Sequence, residues 1–145
     1  MRESGRLSLL PVLGVIFAIV IVALLFVSGE NPSTAAREFM NALATSDIET
    51  LTKRSYIEGN SREEIKKKWE FTMNEVAPYY RFAWQVRSHK QVADDQATVN
   101  LGFVRGVGSL SAYEEKFELP MVRKDGEWLV DLRGIERKKF PGLPR

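Results

Sequence analysis

The chain has 145 residues, no cysteine and a formal net charge of +2 at pH 7. Without cysteine it has no disulfide bonds, no thiolate metal sites and no lipid-modified cysteine as an anchor. The nearly balanced charge gives no electrostatic support for general nucleic-acid binding. We therefore expect a protein that works without nucleic acid, metal or other cofactor.

The first long element is an uncharged apolar run at residues 7–27. A helix of about 21 residues spans about 31 Å, which matches the hydrocarbon core of a bilayer. Arg2 and Arg6 precede the run, whereas the first basic residue after it is Arg37. Because positive residues tend to stay in the cytoplasm, we predict a single transmembrane helix with residues 1–6 inside and the rest extracytoplasmic, or periplasmic.

Two features of this segment leave alternatives open. Val27-Ser28-Gly29 satisfies a small-residue cleavage rule, although a cleaved signal has an apolar core of only about 7–15 residues. Gly14 and Ala18 have the small-xxx-small spacing that lets membrane helices approach closely, but such residues are common in membrane helices anyway. We expect an uncleaved anchor in the cytoplasmic (inner) membrane, in contact with lipids and with another membrane protein or complex.

A short polar linker at residues 28–33 leads to a domain predicted at residues 34–133. Asn31 followed by proline favours a helix start. Asp47 is the expected N-cap of a second, short helix, and Ser61-Arg62-Glu63-Glu64 has the capping-box pattern of a third. Apolar spacing of three and four residues predicts the buried helix faces: Ala35, Phe39, Ala42, Leu43, Ile48, Leu51, Ile65, Trp69, Met73 and Val76.

After Pro78 the apolar period changes to two, which predicts four antiparallel strands. Turns are expected at Asp94-Asp95, between Gly106 and Gly108, and at Asp125-Gly126. Pro120 predicts a bulge or a sheet edge in the third strand. Three helices followed by this sheet give an α+β domain with the helices on one face. The alternation points these residues to the core: Phe82, Trp84, Val86, Ala97, Val99, Leu101, Phe103, Phe117, Leu119, Met121, Trp128 and Val130.

A helix opened by Asn31-Pro32, a second helix starting at Asp47 and a hairpin at residues 124–130 occur together over residues 31–133. This pattern resembles the nuclear transport factor 2-like superfamily, in which a strongly bent, cone-shaped sheet wraps a long helix. It is especially similar to small membrane-anchored or secreted bacterial members of unassigned function. The superfamily includes isomerases, dehydratases, binding subunits and scaffolds, so the resemblance implies a fold and no single activity.

Enzymes of this superfamily place an aspartate or a histidine with tyrosines inside the cone. The candidates here are Tyr79, Tyr80, Tyr113 and Glu115 together with the only histidine, His89. It is flanked by basic residues near a strand end, so we expect a solvated side chain and no general base. Serine nucleophiles have no other plausible base, and no glycine-rich phosphate loop or metal-ligand cluster is present. We therefore predict no catalytic residues.

Glu115 shares its strand register with Tyr113 and is aimed toward the core side of the sheet. A buried carboxylate needs a partner, which Arg81, Arg105 or a tyrosine hydroxyl could supply. Alternatively, a bulge beside Glu115 returns it to solvent.

An apolar ligand in the cone would contact Phe82, Trp84, Tyr113 and Glu115. Such a pocket would make the chain a small-ligand binding protein or an isomerase-like enzyme, although aromatic residues at alternating positions are also ordinary core filling.

Residues 134–145 depart from the pattern of the domain, because they are basic and contain two prolines. We expect Arg137, Lys138, Lys139 and Phe140 to contact a partner or the membrane, unless the segment is a frayed terminus. The leading hypothesis is a single-pass, non-catalytic membrane protein whose extracytoplasmic domain binds or scaffolds a partner. An accessory subunit of a larger membrane complex is one version of it.

Overall fold

The computed structural model describes residues 29–76, 82–105, 108 and 110–145. The predicted membrane segment at residues 7–27, with Gly14 and Ala18, lies outside this part of the chain, and so do Tyr79, Tyr80 and Arg81. Within the described ranges, no helix has the length and apolar character needed to cross a bilayer.

Three helices are found in the described part of the chain: α1 (Pro32–Thr45), α2 (Ile48–Arg54) and α3 (Arg62–Glu75). Each begins at its predicted cap. The side chains of Asn31 and Asp47 accept hydrogen bonds from first-turn amides at 2.8 and 3.1 Å. Ser61 and Glu64 form the reciprocal capping box. The predicted helix starts are confirmed, because a cap depends only on neighbouring residues.

Helix α1 ends at Ser46, whose φ of 56° lies in the left-handed region. A side chain makes this conformation costly, whereas glycine adopts it freely. We expect Ser46→Gly to raise the free energy of unfolding by about 0.5–1 kcal/mol. The matched change Ala44→Gly, at an exposed position within the helix, should lower it by about 1 kcal/mol. Urea unfolding of the full chain in mild detergent, followed by tryptophan fluorescence, checks both, and a loss of stability in Ser46→Gly contradicts the prediction.

The sheet has five strands in the order β1-β5-β4-β3-β2. They are β1 (Ser55–Tyr56), β2 (Ala83–Ala93), β3 (Gln96–Arg105), β4 (Tyr113–Lys124) and β5 (Glu127–Asp131). Strands β2 to β5 are antiparallel, whereas β1 pairs in parallel with β5. The α+β class is confirmed, but a four-stranded antiparallel sheet is wrong, because two residues are too few to show an alternating pattern.

Strand β4 is central, and Pro120 pairs with Thr98 without a register shift. The predicted bulge at this proline is therefore absent, and the alternative, an edge, holds only on the β5 side. The β4–β5 ladder begins one residue later, at Met121, so Pro120 takes no place in it.

Strand β2 changes faces at a bulge between Val86 and Ser88. Before the bulge, Val86 lies opposite a core residue of β3. After it, Ser88 pairs with Asn100 on the outer face, and His89 pairs with the fully buried Val99. A regular alternation along β2 does not predict this placement of His89 on the helix side of the sheet.

Helix α1 contacts strands β2, β3, β4 and β5. Four strands at about 4.8 Å spacing are wider than one helix, so the sheet has to curve around α1 to reach it. This agrees with the cone that the resemblance implies. The predicted core residues of α1, β3, β4 and β5 are buried, and Phe82, Trp84 and Val86 of β2 are partly buried against them.

Candidate functional site

The chain's own C-terminal segment packs into the apolar interior between helix α1 and the sheet, at the end that we call the mouth of the cone. After a short 3₁₀ helix at Leu132–Gly134, the chain returns and inserts Phe140 among three phenylalanine rings. The ring centroid of Phe140 lies 5.7 Å from Phe82, 5.3 Å from Phe103 and 5.0 Å from Phe117, each pair edge-to-face. Such pairs stabilise a core beyond their buried area. The predicted outward contact of Phe140 is wrong, because this ring is only 4% exposed.

Around Phe140 the described residues are tightly packed. The void between the residues around it does not admit a water molecule, whereas ligand pockets commonly measure about 300–1,000 Å³. An apolar ligand therefore has no room in this part of the cone. The void is lined by Phe39, Met40, Leu43, Phe117, Leu119, Ile135, Phe140 and Leu143.

Side chains of two other elements fix the backbone of the returning segment. The Thr72 hydroxyl of α3 donates to the Gly142 carbonyl at 3.0 Å, and Arg105 Nη2 of β3 donates to the Lys139 carbonyl at 2.7 Å. Gly142 has a φ of 84°, and a Cβ there would lie 2.8 Å from Val76 Cγ1. Only glycine fits this close approach without a shift.

The four residues predicted for a ligand pocket do not form one site. Phe82 is half-buried with its ring 4.4 Å from Phe103, and Trp84 is half-buried beside the core. Tyr113 is 54% exposed at the start of β4. The two inward aromatic side chains thus belong to the packing that Phe140 completes.

Glu115 lies at the rim of the mouth. The register of β4 is continuous, so the alternative bulge beside Glu115 is absent, and Glu115 pairs with Phe103 of β3. Arg105 Nε lies 3.5 Å from Glu115 Oε2, and both side chains are more than one-third exposed. The carboxylate is therefore part of a solvated ion pair and is not a buried acid.

Solved structures resemble this architecture. A Campylobacter jejuni protein assigned provisionally as an NTF2-like transpeptidase aligns with a TM-score of 0.51 and 19% identity, covering 71% of this chain and 99% of that one. The domain has an NTF2-like fold. A ketosteroid isomerase-like protein from Erwinia carotovora atroseptica aligns with a TM-score of 0.48 and 14% identity, over 68% of this chain and 86% of that one. No protein-family model and no curated protein matches the sequence. At these identities the fold alone is shared.

His89 joins strand β2 of the NTF2-like domain to helix α1. Its Nδ1 lies 2.8 Å from the hydroxyl of Ser33, which is a serine–imidazole contact. The amides of Ser33, Thr34 and Ala35 already donate to Asn31, so these three leave no donors for a developing oxyanion. Among the described residues there is also no cluster of three or more potential metal ligands. The contact is therefore a hydrogen bond between helix α1 and strand β2.

Arg54 is the centre of a buried ionic cluster that sequence reasoning missed. Its side chain is 5% exposed, and its Nη2 lies 2.6 Å from Glu30 Oε1 and 2.7 Å from Glu38 Oε2. Glu30 Oε2 also accepts a hydrogen bond from the Trp128 amide at 2.9 Å. A buried guanidinium requires such partners. We call Glu30, Arg54 and Trp128 the Glu30 clamp, because they tie the start of the domain to strand β5.

The Glu30 clamp predicts a pH dependence. Burial raises the pKa of Glu30, but hydrogen bonds from Arg54 and the Trp128 amide outweigh it, so the pKa lies below its ordinary 4.5. A carboxylate whose pKa is lowered in the folded state stabilises that state. This stabilisation is fully present above the unfolded-state pKa and is lost as pH falls through the folded-state pKa. Acid unfolding of Glu30→Gln should therefore be less steep than that of the parent below about pH 5. The control Glu58→Gln, at an exposed carboxylate, should follow the parent, and parallel curves for all three contradict the prediction.

Of the other basic residues of the returning segment, two face solvent, whereas Arg145 is partly buried and donates from Nη2 to the Ile135 carbonyl at 2.9 Å. Arg137 and Lys138 are exposed and make no ion pair with any described residue. Lys139, in contrast, lies 3.8 Å from Glu136. Burial lowers the pKa of Arg145, and the nearby charge of Arg137 lowers it further. We call Arg137, Lys138 and Arg145 the tail cation cluster.

Proposed function

We propose that the chain is a single-pass inner-membrane protein whose NTF2-like domain binds a partner protein without catalysing a reaction, as an accessory subunit of a larger membrane complex. The observation that carries this proposal is the position of Phe140. The chain fills the interior where a ligand would lie with its own side chain. Binding is therefore assigned to the outer surface.

The Glu30 clamp supports a domain that stays packed on a membrane partner, rather than one that moves freely to reach a substrate. The predicted membrane segment ends at residue 27, and Glu30 is already bound to Arg54 and Trp128. Only two residues, 28 and 29, separate the two. Such a short tether restricts the domain to neighbours in or at the same membrane.

The alternative, a small-ligand binding protein or isomerase-like enzyme, has less support from the described interior. A ligand in the interior around Phe140 would have to displace this ring and break the bonds from Thr72 and Arg105 to the segment that carries it. The rim carboxylate Glu115 is already paired.

Purification of the full-length protein from its own membrane in mild detergent tests the proposal. We expect it to travel with a companion at constant stoichiometry through two different separations. A monodisperse monomer at native expression level contradicts partner binding. A mature chain that begins near Glu30 and leaves the membrane fraction contradicts the anchor.

A further inference from the structure

The Glu30 clamp and the returning segment lie at different ends of the sheet. Glu30 binds Trp128, which pairs with Arg123 of β4. Lys139 reaches the carbonyl of Lys116 on the same strand, with Nζ at 3.4 Å. Positions 116 and 123 are seven residues apart along β4. At about 3.3 Å per residue, the two ends are separated by roughly 20 Å.

The inference rests on the proposed function, in which residues 7–27 cross the membrane. The clamp then holds the end of the domain near Trp128 at the bilayer. The potential of anionic headgroups falls off within a Debye length, about 8 Å at physiological ionic strength. A cluster roughly 20 Å away along the strand lies beyond that range.

No ion pair within the described part of the domain neutralises the tail cation cluster. Residues 134–145 contain four cations and one carboxylate, whereas the whole chain carries only +2. Arg137 and Lys138 make no ion pair with a described residue, and the charge of Arg137 lies close to Arg145. Like charges held together favour association with a surface of opposite sign.

The cluster is also preorganised. Phe140 fixes the middle of the segment, and the carbonyls of Lys139 and Gly142 accept hydrogen bonds from Arg105 and Thr72. A partner therefore meets cations on an ordered backbone and does not have to order the segment on binding, which lowers the entropic cost of association.

We propose that the tail cation cluster binds an acidic surface of a partner protein at the end of the domain that points away from the membrane. Lipid headgroups, which the sequence also allows as its contact, are then not its ligand. The partner's acidic surface then meets the domain about 20 Å along β4 from the Glu30 clamp.

A labelling experiment tests the orientation. Because the chain has no cysteine, single labels are unambiguous in the full-length protein reconstituted in phosphatidylcholine–phosphatidylglycerol vesicles. We expect a headgroup quencher to quench a fluorophore at Asp94→Cys, in the β2–β3 turn, and to spare one at Lys138→Cys. Equal or stronger quenching at Lys138→Cys overturns the inference, because the tail cations would then lie at the lipid.

A binding experiment tests the class of partner, with fluorescent polyglutamate as the probe and phosphatidylcholine vesicles as the support. We expect Arg137→Glu/Lys138→Glu to weaken binding about tenfold. The control Arg37→Glu/Lys67→Glu makes the same charge change at exposed helix positions and should bind within about twofold of the parent. Equal loss in both variants, no loss in the first, or equally tight binding of a DNA duplex overturns the inference. The anchor can fail separately, because release of the protein from membranes leaves the polyglutamate result standing.

Discussion

Phe140→Ala is expected to lower the free energy of unfolding by about 3–5 kcal/mol, the range for a phenylalanine removed from a packed core. The ring is almost fully buried and touches Phe82, Phe103 and Phe117 edge-to-face. Its loss leaves a cavity that the edges of three other rings cannot fill without moving. Urea unfolding of the full chain in mild detergent, followed by tryptophan fluorescence, measures the change.

The control for this prediction is Lys138→Ala, two residues earlier and exposed, which should change stability by less than about 0.5 kcal/mol. If both variants unfold like the parent, the segment is a frayed end and the cone is open. In that case the interior has room for a ligand, and the ligand-binding hypothesis is favoured.

Arg54→Met is expected to cost about 3 kcal/mol, because it leaves two carboxylates without the cation between them. Glu30 and Glu38 are 24% and 45% exposed. Water therefore reaches both after the change, which keeps the loss at the lower end of the range for broken buried pairs. The Trp128 carbonyl also loses the Arg54 donor at 3.4 Å. Urea unfolding in mild detergent, followed by tryptophan fluorescence, measures this loss of stability.

Arg133→Met is the matched control, because Arg133 lies 3.8 Å from Glu58 in an exposed pair. Exposed pairs contribute about 0–1 kcal/mol. The triple variant Arg54→Met/Glu30→Gln/Glu38→Gln should recover part of the loss, since it also removes the stranded charges. If Arg54→Met leaves the free energy of unfolding unchanged, the guanidinium contributes nothing to stability beyond the volume it fills.

Much of the fold is readable from the sequence because its determinants are local. Asp47 and Ser61 start helices through bonds to amides within three residues. Asp125 and Gly126 both have a positive φ, which the two-residue turn between β4 and β5 needs. The alternation along β3 reports burial directly, because its register with the neighbouring strand β4 is unbroken, which keeps one face of β3 toward α1.

The errors come from features that no local pattern encodes. Ser55 and Tyr56 become a strand only because β5 passes beside them. The bulge after Val86 shifts His89 to the helix side, although the residues around it alternate in type. Pairing with a neighbouring strand decides both the short strand β1 and the bulge in β2. The sequence of a single strand does not indicate which strand lies beside it.

The candidate site was missed for a related reason. Ile135, Phe140 and Leu143 have no helical or strand period, and the cations and prolines between them are typical of a solvated end. Their burial depends on residues that are distant in the sequence, such as the Phe103 and Phe117 rings that contact Phe140. Likewise, Arg54 ends an ordinary short helix, and only the approach of Glu30 and β5 reveals its ionic role.

The return of Phe140 to the cone also sets the order in which this domain can mature. The ring follows every strand that the structure describes, so the interior stays incomplete while α1 and β1 to β5 have already been synthesised. Until then, Phe82, Phe103 and Phe117 offer an apolar surface of the kind that chaperones and proteases recognise. A chain interrupted before Ile135 would keep that surface exposed, which gives the cell a way to tell a finished molecule from a truncated one.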